Sequence, residues 1–285
     1  MKWEGRRQST NVEDRRGMST GGIVAGGGIL GLLVYLLYAF LGGSDIDPSQ
    51  IPQVSGGVPQ QQMSPEAQRA DDARAAFVKV VLAETEDVWG KIFSDYGEEY
   101  PAPTLVLYRG VVQSACGNAS AASGPFYCPG DQKLYIDLSF YEELQQNLNA
   151  PGDFAMAYVV AHEVGHHIQT INGTSDKVMQ FRSRMSEADG NRLSVMMELQ
   201  ADFLAGVWAH HTQKMKQILE PGDIEEALNA ANQIGDDRLQ RRATGTVMPD
   251  AFTHGTSAQR MYWFKKGFET GDIRQGNTFE GVDMH

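Results

Sequence analysis

Tyr158-Val-Val-Ala-His162-Glu163-Val-Gly-His166-His-Ile168 is the stretch on which the reading of this chain turns. Val160, Val164, Ile168 and Ile171 recur at helical spacing, so the segment reads as an amphipathic helix with one apolar face. On that helix His162 and His166 stand four residues apart, which puts both imidazoles on one side, about 6 Å apart along the axis. That spacing suits a two-histidine metal clamp. Glu163 lies about 100° round the helix from His162, where its carboxylate reaches a water on the metal without ligating the metal itself. Two ligands beside one general base form the H-E-x-x-H arrangement. Gly165 costs such a helix about 1 kcal/mol relative to alanine, which is explained if another element packs closely there.

A catalytic zinc takes three protein ligands and keeps one position open. The metzincin spacing would put a third histidine where this chain has Asn172, so the remaining ligand must come from a later element. Glu198-Leu-Gln-Ala-Asp202 places two carboxylates one turn apart on a helix expected over residues 192–214. Glu198 is expected as the ligand. Asp202 is expected to accept a hydrogen bond from a ligand imidazole and so orient it.

Outward from this centre, 285 residues with 41% hydrophobic and 21% charged content have room for one large domain with appendages. A formal charge of −12 leaves no basic footprint, which excludes general nucleic-acid binding. Residues 1–20 are polar and carry Lys2, Arg6, Arg7, Arg15 and Arg16, whereas 21–43 contain no charge and are long enough to cross a bilayer. With Asp45 and Asp47 following, the positive-inside rule predicts a cytoplasmic tail over 1–20 and an uncleaved transmembrane signal anchor over 21–43. The rest would be periplasmic or extracellular, held at the inner (cell) membrane by a single pass. Residues 44–65, rich in Pro, Gly, Ser and Gln, read as a flexible linker, and 66–285 as the domain. In that oxidising space Cys116 and Cys128 are expected to form a disulfide.

Within the domain, apolar spacing predicts a long helix from Pro65 to about Tyr96, and strands at 104–108 and 133–138 precede the metal helix. The resulting class is α+β, a small sheet with the H-E-x-x-H helix and later helices. Trp263, Phe264, Phe268 and Phe279 are expected in the core.

Ala161-His-Glu-Val-Gly-His-His-Ile168, Glu198-Leu-Gln-Ala-Asp-Phe-Leu-Ala-Gly206 and Phe252-Thr-His-Gly-Thr-Ser-Ala-Gln-Arg260 together resemble the bacterial family of "putative neutral zinc metallopeptidases", and Gly124-Pro-Phe-Tyr-Cys-Pro129 is similar too. The resemblance runs over about residues 66–281. It implies a zincin-like fold of the gluzincin type, with His162, His166 and Glu198 holding one zinc per chain, Glu163 as base, and a peptide or protein as substrate. It also suggests His254 as a donor to the developing oxyanion, since gluzincins often use a later His or Tyr for that purpose. Zincin substrates usually lie along an edge strand, here expected to be 133–138. Family members commonly carry cysteines where this chain has Phe203 and Gly276, so one disulfide is missing and a looser C-terminal tail is expected. A membrane-anchored zinc metalloendopeptidase is the reading that follows. The alternatives are a non-catalytic, zinc-stabilised membrane interaction protein, for which Glu163 has no use, and a hydrolase of a non-peptide amide.

Overall fold

The computed structural model describes residues 1–17 and 63–282. The expected transmembrane segment and most of the linker lie outside the described residues. Among those described, no helix is long and apolar enough to cross a membrane.

Ser64 opens the first helix, α1 (Pro65–Asp95), by accepting a hydrogen bond from the Ala67 N–H, and Pro65 fits the first turn, where no N–H is needed. Phe77, Val78, Val81, Leu82, Val88, Trp89 and Ile92 of α1 are buried. A four-stranded sheet follows in the order β1 (Val12–Asp14), β2 (Thr104–Tyr108), β6 (Lys133–Asp137) and β5 (Phe126–Cys128). The first three run parallel and β5 runs antiparallel to β6, with Phe126 opposite Tyr135. Alternation along the strands sends Leu105, Leu107, Leu134 and Ile136 into the helical core, and Val106, Tyr108 and Tyr135 to the opposite face. Val112 of the hairpin β3 (Val111–Ser114) and β4 (Gly117–Ser120) joins the cluster on that second face. The disulfide between Cys116 and Cys128 forms as expected and ties the hairpin turn to the end of β5.

Two sequence expectations change here. The strand 133–138 is not an edge: β6 lies between β2 and β5, so the free edge beside the metal helix belongs to Phe126–Cys128. Residues 1–17 are also not a detached tail. Strand β1 pairs with β2, the Lys2 N–H donates to the Ile218 carbonyl, and the arginines expected to mark the cytoplasmic side are ion-paired. Arg6 meets Glu84, Arg7 meets Glu86 and Asp87, and Arg16 meets Asp14 and Asp71. The folded unit therefore includes residues well before 66.

After a short turn of helix, α2 (Phe140–Glu142), come α3 (Asp153–Ile171), α4 (Thr174–Arg182) and α5 (Glu187–Lys216). The core helix α3 is buried along most of its length, Phe154 to Val164 included. Helix α5 starts earlier than its apolar periodicity suggests, because Ser186 caps it through the Asp189 N–H ahead of the apolar run. Helices α6 (Asp223–Gln233), α7 (Asp236–Thr244) and α8 (Ser257–Thr270) complete the body. Phe264 and Phe279 are buried, and Trp263 and Phe268 pack against the core, as expected.

Glycines set two helix crossings. A Cβ at Gly165 would lie 3.0 Å from both the Cα and the carbonyl oxygen of Ala201, so α3 and α5 meet at near-backbone contact. A Cβ at Gly206 would fall 2.1 Å from the Phe264 carbonyl, and one at Gly267 2.0 Å from that of Phe203, which locks α8 against α5. Gly276 lies beneath Phe203, whose ring carbons would stand 2.5 Å from a Cβ there. The two positions expected to have lost a disulfide are thus neighbours, and an aromatic ring fills the space between them.

Candidate metal centre

The α3–α5 contact at Gly165 and Ala201 brings Glu198, one turn earlier on α5, over the two histidines of α3. His162 Nε2 lies 3.1 Å from Glu198 Oε2, and His166 Nε2 lies 3.3 Å from Glu198 Oε1. Donors held about 2.0–2.1 Å from a tetrahedral zinc stand roughly 3.3 Å apart. The spacing therefore fits the ion.

The hydrogen bonds behind the rings decide which atoms face inward. His162 Nδ1 is 2.9 Å from Asp202 Oδ1, and His166 Nδ1 is 2.8 Å from Gln169 Oε1. The Gln169 amide is itself fixed, because its Nε2 donates to the Met197 carbonyl at 2.7 Å. Both Nδ1 atoms accordingly carry a proton, which leaves each Nε2, the atom turned toward Glu198, to take either a second proton or a metal ion. Lone pairs facing a carboxylate repel unless protons or a cation stand between them. The set fits a divalent metal.

Electrostatics point the same way. Burial disfavours the charged form of His162, but Asp202 and Glu198 outweigh it and push the pKa up to about 10. His166 is raised against the same burial by Glu198. Burial would raise Glu198, yet the two histidines hold it well below the usual carboxylate range. Glu163, also buried, is raised by desolvation, with the histidines and the Tyr127 backbone N–H pulling the other way. The edge strand β5 thus lies close to the candidate base.

These groups line a cleft of about 1240 Å³ whose walls also include Phe126, Phe140, Met179 and Met185. His254 also lines it, with its Nδ1 3.1 Å from Asp236 Oδ1. Asp236 Oδ2 further accepts the backbone N–H groups of Thr253, His254 and Gly255, which pins the loop ahead of α8. His167, next to His166, turns away: it meets the Tyr127 hydroxyl at 3.1 Å and the Pro101 carbonyl at 2.6 Å. Sequence reasoning missed Gln169, Asp236, Tyr158 and Arg260. Gln169 was within reach, being three residues past His166 and so on the same helical face. Tyr158 was equally within reach, one turn before His162 on the same helix, whereas Asp236 and Arg260 come from elements whose approach only the fold reveals.

A family model described as "Putative neutral zinc metallopeptidase" matches residues 1–279. The chain belongs to this family. Its match begins at residue 1, as does the folded unit. Among relatives, "Uncharacterized protein YpfJ" of Escherichia coli K12 is 50% identical over 287 residues, covering 98% of this chain and 99% of that protein. "Uncharacterized protein Rv2575" of Mycobacterium tuberculosis H37Rv is 42% identical over 195 residues, covering 65% of each chain. No solved structure matches. Zinc and peptidase chemistry are what the family implies, and the α+β architecture agrees with it.

Proposed function

We propose that this chain is a zinc-dependent endopeptidase binding one zinc through His162, His166 and Glu198. The observation that carries the reading is the pair of Nε2 atoms facing Glu198, with the buried Glu163 lining the same cleft. A site built only to staple a fold needs four closed ligands and no base, which disfavours the non-catalytic alternative. When bound, zinc would polarise a scissile carbonyl and lower the pKa of an attacking water. Glu163 takes the proton from that water and returns it to the leaving amine. Its raised affinity for a proton, caused by burial, suits this transfer. Burial disfavours the charged form of His254, but Asp236 at Nδ1 and the nearby Glu198 raise its pKa, and in that charged form Nε2 also carries a proton to donate toward the charge developing on the carbonyl oxygen. The substrate would be a peptide or protein segment lying extended against β5. The apolar segment 21–43 would associate with a membrane, with both of its flanks on the side of the catalytic body.

The test is a peptide-library cleavage assay on the full chain, with and without chelator, beside a Glu163→Gln variant. Cleavage should need metal, and the variant should keep its zinc and melting temperature while turnover falls by about 10²–10⁴-fold. A Glu163→Gln protein that cleaves at the wild-type rate would sink the mechanism.

A further inference from the structure

Behind the metal-facing groups lies a buried polar cluster that the proposed reaction does not use. Asp202 is fully buried, and the Arg260 side chain is 3% exposed. Asp202 Oδ1 accepts from His162 Nδ1 at 2.9 Å, Tyr158 Oη at 2.5 Å and Arg260 Nη2 at 3.0 Å, while Oδ2 accepts from Arg260 Nε at 2.8 Å. The guanidinium also reaches the Tyr158 hydroxyl at 3.2 Å. Tyr158 stands one turn before His162 on α3, and Arg260 comes from the first turn of α8, placed by the Gly206 and Gly267 contacts with α5. Three helices thus meet at one carboxylate.

We infer that Arg260, assisted by Tyr158, is a positioning residue for the metal centre, acting on His162 through Asp202. The inference rests on the zinc reading above. A carboxylate held only by His162 and Tyr158 could rotate, whereas the two-pronged contact with Arg260 fixes its plane and with it the ring of His162. Charge balance supports the same role. One divalent cation against Glu163, Glu198 and Asp202 leaves a net charge of −1, and Arg260 brings the sum to zero, which a buried site requires to avoid an uncompensated charge. His166 is served differently, by the neutral amide of Gln169. The guanidinium therefore biases one of the two imidazoles, and its removal should change metal binding rather than fold alone.

The experiment uses the full-length chain in detergent. Zinc dissociation constants are measured by competition with a chromogenic chelator, together with the visible spectrum of the cobalt(II)-substituted protein and melting temperatures. The variants are Arg260→Met, Arg260→Lys, Asp202→Asn and the Asp202→Asn/Arg260→Met pair. Arg260→Met should weaken zinc about 10- to 100-fold and shift the cobalt bands, and Arg260→Lys should recover part of the loss. On the Asp202→Asn background the same change should add less than about threefold, since the path is already cut. Wild-type zinc affinity and cobalt spectrum in Arg260→Met, whatever its melting temperature, overturn the inference, as does an undiminished effect on the Asp202→Asn background. Should Arg260→Met not fold, Arg260→Lys decides: it keeps the charge but not the fork, and a wild-type dissociation constant there overturns the proposal. A wild-type chain that binds no zinc defeats the metal reading itself, which is a different outcome.

Discussion

His162 carries two opposed demands, since its Nε2 must be bare to ligate and the surrounding carboxylates favour a protonated ring. With a pKa pushed up to about 10 by Asp202 and Glu198 against burial, zinc and a proton compete for this side chain. Zinc uptake should therefore release protons, and apparent affinity should rise steadily as pH is raised from 6.5 toward 10. Calorimetry in buffers of different ionisation enthalpy checks this; uptake without proton release contradicts it. The sign for stability runs opposite in chain stripped of metal. A folded-state pKa above the unfolded value contributes stability that is present below about pH 6.5 and lost as pH rises through about 10. The melting temperature of chelated protein should fall across that window, and that of zinc-loaded protein should not share the decline.

At the scale of elements, the crossing of α3 and α5 sets the distance between Glu198 and the histidines. Gly165→Ala would press a methyl group to 3.0 Å from the Ala201 backbone, and overpacking of that kind costs about 1–3 kcal/mol, more than the roughly 1 kcal/mol of helix propensity it gains. Urea titration should show net destabilisation, and zinc affinity should drop with it as α5 is pushed outward. An unchanged zinc affinity would mean that the crossing does not govern the site. The edge strand β5 is tied at Cys128 to the hairpin, and its Tyr127 meets His167 and lies near Glu163. Replacing both cysteines by serine should remove about 3 kcal/mol, the amount expected for a loop of this length. Turnover should fall further than zinc content does, because β5 borders the base and not the ligands. Parallel losses of zinc and turnover would argue against that division.

For the whole molecule, the consequential feature is that residues 1–17 and 63–282 form one body. Arg6, Arg7 and Arg16 are committed to Glu84, Glu86, Asp87 and Asp71 on α1, so their charge serves docking of the N-terminal strand. Reporters fused ahead of Met1 and after His285 should accordingly read the same side of the membrane. Opposite sides would show that β1 leaves β2 in the cell and would restore the single-pass topology expected from charge flanks. The positive-inside rule reads basic residues near an apolar segment without knowing whether a folded partner already neutralises them.

The sequence by itself determined the metal helix, its two histidines and the adjacent glutamate, because helical spacing converts four residues of chain into one face. It also pointed to Glu198 and Asp202, which taken alone read equally as acids on a surface helix, to the disulfide, and to a close approach at Gly165, which a plain packing glycine explains as well. Tertiary structure alone decided that β5 is the edge and β6 is not, since strand order depends on pairings between distant segments. It alone brought Arg260 and Tyr158 to Asp202 and Asp236 to His254, residues scattered along the chain and joined only where α3, α5, α7 and α8 converge. It alone returned the N-terminal strand to the sheet, because the acids that receive its arginines are spread along a helix more than fifty residues away and carry no mark in the sequence of what they bind.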